Sequence, residues 1–296
     1  MTKPTIGLVG VGLMGHGIAK NILSGGYPLM VHANRNRAPV DDLIAKGAGE
    51  AADLRGLAEF ASIIFLCLPG SPQVEATVTA LMPHLREGTV IIDCSTSDPT
   101  STLALAGQLN SVGAHMVDTP LGGTPVQAEE GSLAIMSGGE ETIFARVLPV
   151  LETWAKAIVR IGGPGDGHKM KLLNNFLSLG YAALYSEAIV LGEKVGISTA
   201  QFDSVIRGSR MDCGFYQTYM GYVAEGNRDS HKFTLTNALK DLTYLESMAD
   251  AAGAANPIGN AAKNSFAMAM AAGGNGAEDY VPHLVDYVAA RNGVKR

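Results

Sequence analysis

Cysteine is scarce in this 296-residue chain: Cys67, Cys94 and Cys213 are scattered, odd in number and without C-x-x-C spacing. That argues against a disulfide framework or a cysteine zinc site and fits a reduced, cytoplasmic compartment. The seven histidines lack H-x-x-x-H spacing, so no metal site is read. Basic runs are missing too. Lys and Arg total 22 against 28 Asp and Glu, a formal charge of -6, and no basic block is longer than the terminal Lys295-Arg296. Nucleic acid, whose phosphates need a basic footprint, is therefore not an expected partner. No apolar run approaches the ~18 residues that span a bilayer, so no membrane contact is expected. Residues 5–19 are largely apolar after Lys3, but glycines at 7, 10, 12, 15 and 17 and the lack of a subsequent A-x-A site argue against a signal peptide.

Large aromatics are also few, at 1 Trp, 8 Phe and 9 Tyr, whereas glycine reaches 36. The glycines show no G-x-y period, which excludes collagen, and most lie between apolar runs, where backbone approaches something closely. With 47% apolar and 17% charged residues the chain has ample core material, and its length suits one large domain or two of ordinary size.

The first half alternates short apolar runs with longer amphipathic stretches. Residues 6–9, 29–32, 63–68, 90–93, 115–118, 133–137 and 158–161 read as strands; 13–23, 40–46, 73–85, 100–112 and 140–153 carry the helix period. Near-continuous apolar strands alternating with helices predict a parallel sheet covered on both faces. After Gly162-Gly163-Pro164-Gly165 the pattern changes. Residues 166–195 form one helical stretch in which Met170, Leu173, Leu177, Leu184, Ala188, Leu191 and Val195 recur at spacings of three, four or their sums, and the chain beyond residue 195 reads as helical and Ala-rich. The expected architecture is an α/β dinucleotide-binding domain over 1–162, a connecting helix over 163–195, and an all-helical substrate and oligomerisation domain over 196–296.

Gly10-Val11-Gly12-Leu13-Met14-Gly15 comes directly after the first strand and opens the first helix. In that context the first glycine makes a tight turn, the second admits a pyrophosphate and the third lets helix pack on strand. Gly10, Gly12, Leu13, Met14 and Gly15 are thus expected cofactor contacts. The second strand ends in Val31-His32-Ala33-Asn34-Arg35-Asn36-Arg37, with no acid for a ribose 2'-hydroxyl. Arg35 and Arg37, with Asn34 beside them, suit a 2'-phosphate, so NADP is the expected cofactor and NAD the alternative; two solvated loop arginines are the plainer account. Thr96, in the turn after the 90–93 strand, and Leu68 and Pro69, after the 63–68 strand, lie at the carboxyl edge of the sheet, where ligands of open α/β sheets bind.

Lys171-Leu172-Leu173-Asn174-Asn175 is the most informative cluster of the long helix. A spacing of four puts Lys171 and Asn175 on one face, with Asn174 beside them, and a rigidly held, desolvated lysine suits proton transfer. Gly122-Gly123-Thr124 offers a turn whose backbone amides can hold a carboxylate without a cation. A simple loop is the competing account.

Taken in order, G-x-G-x-M-G, D-x-S-T, a Gly-rich loop ending in M-S-G-G, G-x-G-x-x-x-K-x-x-N-N and F-x-x-x-x-x-x-K-D-L resemble the β-hydroxyacid dehydrogenases, the 3-hydroxyisobutyrate dehydrogenase-like enzymes. The last two motifs stand here as Gly165 through Lys171 with Asn174-Asn175, and Phe233 with Lys240-Asp241-Leu242. The resemblance implies hydride transfer between a nicotinamide cofactor and a small hydroxy acid or semialdehyde. It implies that Lys171 is the acid/base, that Asn175 orients the substrate, and that Thr96 and Lys240 contact the cofactor. It also implies that the turn at 122–124 receives the substrate carboxylate, although the common S-G-G reads Gly122-Gly123-Thr124 here. Family members are usually dimers or tetramers. An imine reductase would share the architecture without needing the K-x-x-N-N face. A non-catalytic member kept for partner binding should have lost the lysine or the glycine fingerprint, and both are retained.

Overall fold

A computed structural model describes residues 3–33 and 36–296, and the chain divides into two compact units, 1–171 and 172–296. The division falls inside the helix that the sequence marks as a connector.

The first unit is a sheet with helices on both faces. Its strands are β1 (Ile6–Val9), β2 (Leu29–His32), β3 (Gly49–Ala51), β4 (Ile63–Leu66), β5 (Val90–Asp93), β6 (His115–Asp118), β7 (Leu121–Gly122), β8 (Leu133–Gly138) and β9 (Ala155–Gly162), in the order β3-β2-β1-β4-β5-β6-β8-β7 with β9 beside β8. Helices α1 (Leu13–Ser24), α2 (Ala38–Ala45), α3 (Leu54–Phe60), α4 (Ser71–Leu81), α5 (Pro99–Ser111), α6 (Pro125–Glu130) and α7 (Glu141–Leu151) join them. Alternate strand residues feed opposite cores. In β4, Phe65 packs with Leu8, Ile18, Ile92 and Trp154, while Ile64 and Leu66 pack with Leu57, Val78, Ile91 and Leu109 on the other face. Burial on both faces is why these strands read as unbroken apolar runs rather than alternating ones.

The sheet is parallel from β3 through β6, but β8 runs antiparallel to β6 and β7 antiparallel to β8. The expected parallel sheet stands from β3 through β6, and the antiparallel pairing lies beyond it. At ~1.5 Å per residue a helix the length of α6 spans only about 9 Å, less than a return along a strand requires. The chain therefore turns back in place. Among the parallel strands, the order reverses direction between β1 and β4, the switch point at whose carboxyl edge ligands bind in such folds.

The second unit contains most of α8 (Asp166–Lys194), then α9 (Thr199–Ile206), α10 (Gly214–Val223), α11 (Leu235–Ala251), α12 (Pro257–Ala271) and α13 (Leu284–Arg291). Its core joins Leu172, Leu179, Ala182, Ile189 and Val190 of α8 to Tyr216 and Tyr219, Leu242, Phe266 and Val285. The apolar residues that reveal α8 in the sequence are a different stripe. Met170, Leu173, Leu177, Leu184, Leu191 and Val195 are all exposed, Leu191 at 64%. The helix is apolar on two faces, and periodicity alone cannot say which one the core covers.

Candidate active site

The turn between β1 and α1 is built by what its glycines omit. Gly10 has φ +100°, and a Cβ there would stand 2.2 Å from the Cys67 carbonyl oxygen; one at Gly15 would stand 2.0 Å from the Gly10 carbonyl oxygen. Any side chain at either position would force backbone apart. Gly12 differs, since a Cβ there meets nothing within 4 Å. It opens α1 with no side-chain cap and no acid in the first turn, so the leading amides of the helix face an open space. That combination fits an anionic pyrophosphate. Leu13, 80% exposed, and half-buried Met14 border it. Beneath the turn, burial pushes the Cys67 thiol up to about 12 and the Cys94 thiol well above its ordinary value, which disfavours their thiolates.

The adjoining carboxyl edge carries a buried polar network. Asp93 and Asp118 end β5 and β6 in register, both fully buried. Asp93 accepts from the Ser95 amide at 2.9 Å and the Ser97 hydroxyl at 2.8 Å; Asp118 accepts from the Gly165 and His168 amides at 2.7 and 2.8 Å. Asp118 thereby satisfies amides at the start of α8, a task an N-cap usually performs. Burial first, and Asp93 to a lesser degree, push the Asp118 carboxyl up; His168 and the two backbone amides pull it the other way. The Leu68 amide donates to Ser95 Oγ at 2.9 Å, which ties the expected cofactor contacts Leu68 and Pro69 to the turn bearing half-buried Thr96. His168, absent from the sequence-derived candidates, joins this network.

Arg37 and the two residues expected beside it stand differently. Asn34 and Arg35 lie outside the described residues. Arg37 is turned to carboxylates, bonding Asp41 at 2.8 Å and also Glu50, and the Glu50 and Asp41 bonds raise its pKa further. A 2'-phosphate would have to draw it away from them. At 122–124 the expectation of several free amides is narrowed. Gly122 closes β7 and Gly123 sits at φ +126°, but the Thr124 amide donates to Gln127 Oε1 at 2.9 Å, half of the capping box that starts α6. Thr124 is therefore committed to its own helix.

On α8, Lys171 is half-buried, Asn174 exposed and Asn175 buried. Within the second unit Asn175 Nδ2 donates to Asp241 Oδ2 at 2.7 Å, and Lys240 Nζ stands 3.0 Å from Asp241 Oδ1 and 5.0 Å from the Tyr244 ring centroid. A carboxylate only accepts, so Asp241 fixes which way the Asn175 amide points. Asp241 also compensates the Lys240 charge where burial would otherwise penalise it.

Residues 5–163 match the family described as the NAD binding domain of 6-phosphogluconate dehydrogenase, and residues 165–283 match that described as NAD-binding of NADP-dependent 3-hydroxyisobutyrate dehydrogenase. The chain is 31% identical to the 3-sulfolactaldehyde reductase of Escherichia coli (strain K12) over 279 residues, 93% of each protein. The chain belongs to the β-hydroxyacid dehydrogenase family. It is an NAD(P)-dependent oxidoreductase of hydroxy acids and their carbonyl counterparts. A 3-hydroxyisobutyrate dehydrogenase of Mycobacterium tuberculosis, solved with L-serine, superposes with a TM-score of 0.86 at 26% identity, covering 96% of this chain and 99% of that one. A protein named Psf3, solved with NADP+ and 2-OPP, superposes at 0.78 with 26% identity, covering 95% and 99%. Among the described residues of this dehydrogenase, no helix is long and apolar enough to cross a membrane.

Proposed function

We propose that this β-hydroxyacid dehydrogenase works as an NADPH-dependent reductase of a small, carboxylate-bearing aldehyde or ketone, with Lys171 as its proton donor. The observation that carries this reading lies within the first unit: Asp118 holds the opening turn of α8 at the carboxyl edge of the sheet, one turn before Lys171. The bound nicotinamide supplies the hydride. Negative charge then grows on the carbonyl oxygen as its carbon is reduced; the Lys171 ammonium stabilises that charge and gives up the proton that completes the hydroxyl. Oxidation runs the same transfers backwards, with Lys171 taking the proton. Asn175, its amide direction set by Asp241, orients the substrate, with Asn174 beside it. Gly122 and Gly123 receive the anionic end through backbone, and Thr124 contributes its helix-capping rigidity rather than its amide. Gly10, Gly12, Leu13, Met14, Gly15, Leu68, Pro69, Thr96 and Lys240 are assigned to the cofactor.

A panel of cofactor-oxidation assays with succinic semialdehyde, tartronate semialdehyde, sulfolactaldehyde and a cyclic imine tests the substrate class. Turnover of a carboxylate- or sulfonate-bearing aldehyde is expected. Turnover of the imine alone would replace this reading with an imine reductase.

The exposed stripe of α8 further supports a homodimer or homotetramer, because Leu173, Leu177, Leu184, Leu191 and Val195 form an apolar seam longer than a monomer ordinarily leaves in water. Leu184→Glu combined with Leu191→Glu should yield a monomer in light scattering after size exclusion, and an unchanged mass would remove α8 from the interface. The scarcity and scatter of cysteine support a cytoplasmic setting.

A further inference from the structure

His168 is the third residue of α8 and is completely buried. Its Nε2–H donates to the Ser95 carbonyl at 3.0 Å, and its Nδ1 meets Thr102 Oγ1 of α5 at 2.8 Å. Asp93 Oδ2 lies 3.7 Å from Nε2 and Asp118 Oδ2 lies 3.9 Å from Nδ1. One ring therefore spans three elements: the turn after β5, helix α5 and the start of α8. An apolar side chain of similar size would fill the volume yet strand the Ser95 carbonyl and leave the Thr102 hydroxyl with only its bond to the Asp98 carbonyl, so the site favours a two-ended polar ring.

Ser95 immediately precedes Thr96, and Lys171 lies three residues beyond His168, on the same side of the helix. We propose that His168 is a positioning residue for hydride transfer: its Nε2–H bond to the Ser95 carbonyl ties the turn carrying Thr96 to the helical turn carrying Lys171, and so sets the proton donor against the cofactor. The inference rests on the roles proposed above for Lys171 and Thr96. The Thr102 bond links the ring to α5 and not to the turn carrying Thr96, so the two ends of the imidazole carry different duties.

That asymmetry makes the proposal testable. The amide nitrogen of Gln reaches the place of Nε2, and that of Asn the place of Nδ1. His168→Gln keeps the bond to Ser95, whereas His168→Asn keeps only the bond to Thr102. The expected result is a kcat within about threefold of the parent for Gln and about 10- to 100-fold lower for Asn, with KM values for cofactor and aldehyde little changed, since a misplacement near 1 Å costs about that much in rate. Thermal midpoints of the two variants should fall together. Equal kcat values in the two variants, or a loss confined to Gln, would overturn the proposal. Should neither variant fold, Thr102→Val leaves the Ser95 bond in place and should keep kcat within about threefold, whereas a tenfold loss would assign the coupling to α5 instead and refute it. Lys171→Ala, assayed alongside, separates the two claims. Parental turnover there removes the acid/base assignment, whereas the Gln and Asn comparison reports on His168.

Discussion

The phosphate turn makes opposite demands on neighbouring glycines, and alanine distinguishes them. A Cβ at Gly15 would lie 2.0 Å from the Gly10 carbonyl oxygen, well over 1 Å inside ordinary contact, and the obstacle is backbone that cannot rotate away. Overpacking of this kind costs about 1–3 kcal/mol, occasionally more. At ~2–4 °C per kcal/mol for domains of 150–250 residues, Gly15→Ala should lower the melting temperature by about 2–12 °C. Gly12 is the reverse case. Its φ of -97° and ψ of -159° suit alanine, and the added carbon meets nothing within 4 Å. Stability should stay within about 1 kcal/mol of the parent, the size of a helix-cap effect. The same carbon would stand where a pyrophosphate approaches the first amides of α1. Losing one charge-assisted hydrogen bond costs about 1.5–3 kcal/mol, which converts to about a 10- to 100-fold weaker Kd for NADPH. Differential scanning fluorimetry and a nucleotide fluorescence titration measure the two quantities on the same samples. Parental affinity in Gly12→Ala would refute the placement of the pyrophosphate, and an unchanged melting temperature in Gly15→Ala would refute the packing of the turn.

Lys171→Ala should lower kcat by about 10²- to 10⁴-fold, the range of general acid catalysis, with the NADPH Kd within a few-fold; steady-state rates beside a binding titration decide it. Glu50→Gln frees Arg37 from one of its two carboxylates and should raise the NADPH-to-NADH ratio of kcat/KM about three- to tenfold, while Arg37→Ala lowers it; no change in either would mean that Arg37 never meets the 2'-phosphate. Asp118 predicts a pH effect whose sign is set by burial raising its carboxyl. The folded state then holds that proton at pH values where the unfolded chain has released it, so stability falls as pH rises from the ordinary carboxylate range through the raised value. Asp118→Asn should flatten that slope in denaturant titrations across the acid range, yet destabilise the neutral protein because one carboxamide oxygen must serve two amides; an unaltered slope would count against Asp118 as its source.

Four strands stand where the apolar runs put them, at 6–9, 29–32, 90–93 and 115–118, because each has a compact, largely buried apolar run at its centre. The short elements are harder to see. β3 is Gly49-Glu50-Ala51 and holds its place through parallel pairing with β2 rather than through an apolar run of its own. Helix α6 is legible in principle: Thr124-Pro125-Val126-Gln127 pairs a capping threonine with a glutamine three residues on and a proline at the first helical position. The glycines before it mask that signal, because they suggest a loop. With the helix in place, the Thr124 amide has a partner and leaves the set of substrate donors.

The candidate site divides along a different line. The glycines and Lys171, the proposed proton donor, are visible because each imposes a local rule on the residues around it: a turn that must be tight, a helix that must face one way. His168, Asp118 and Asp241 impose rules on residues far away in sequence. His168 reaches Ser95 across 73 positions, Asp118 reaches Gly165 across 47 and Asp241 reaches Asn175 across 66. No spacing pattern announces such partners. What joins them is the cost of burying a carboxylate or an amide unpaired, which only the folded chain can reveal. The same cost explains their placement. Asp118 holds the start of α8 in the first unit, and Asp241 holds the amide of Asn175 in the second. Loss of either carboxylate would leave the amides it serves buried and unpaired.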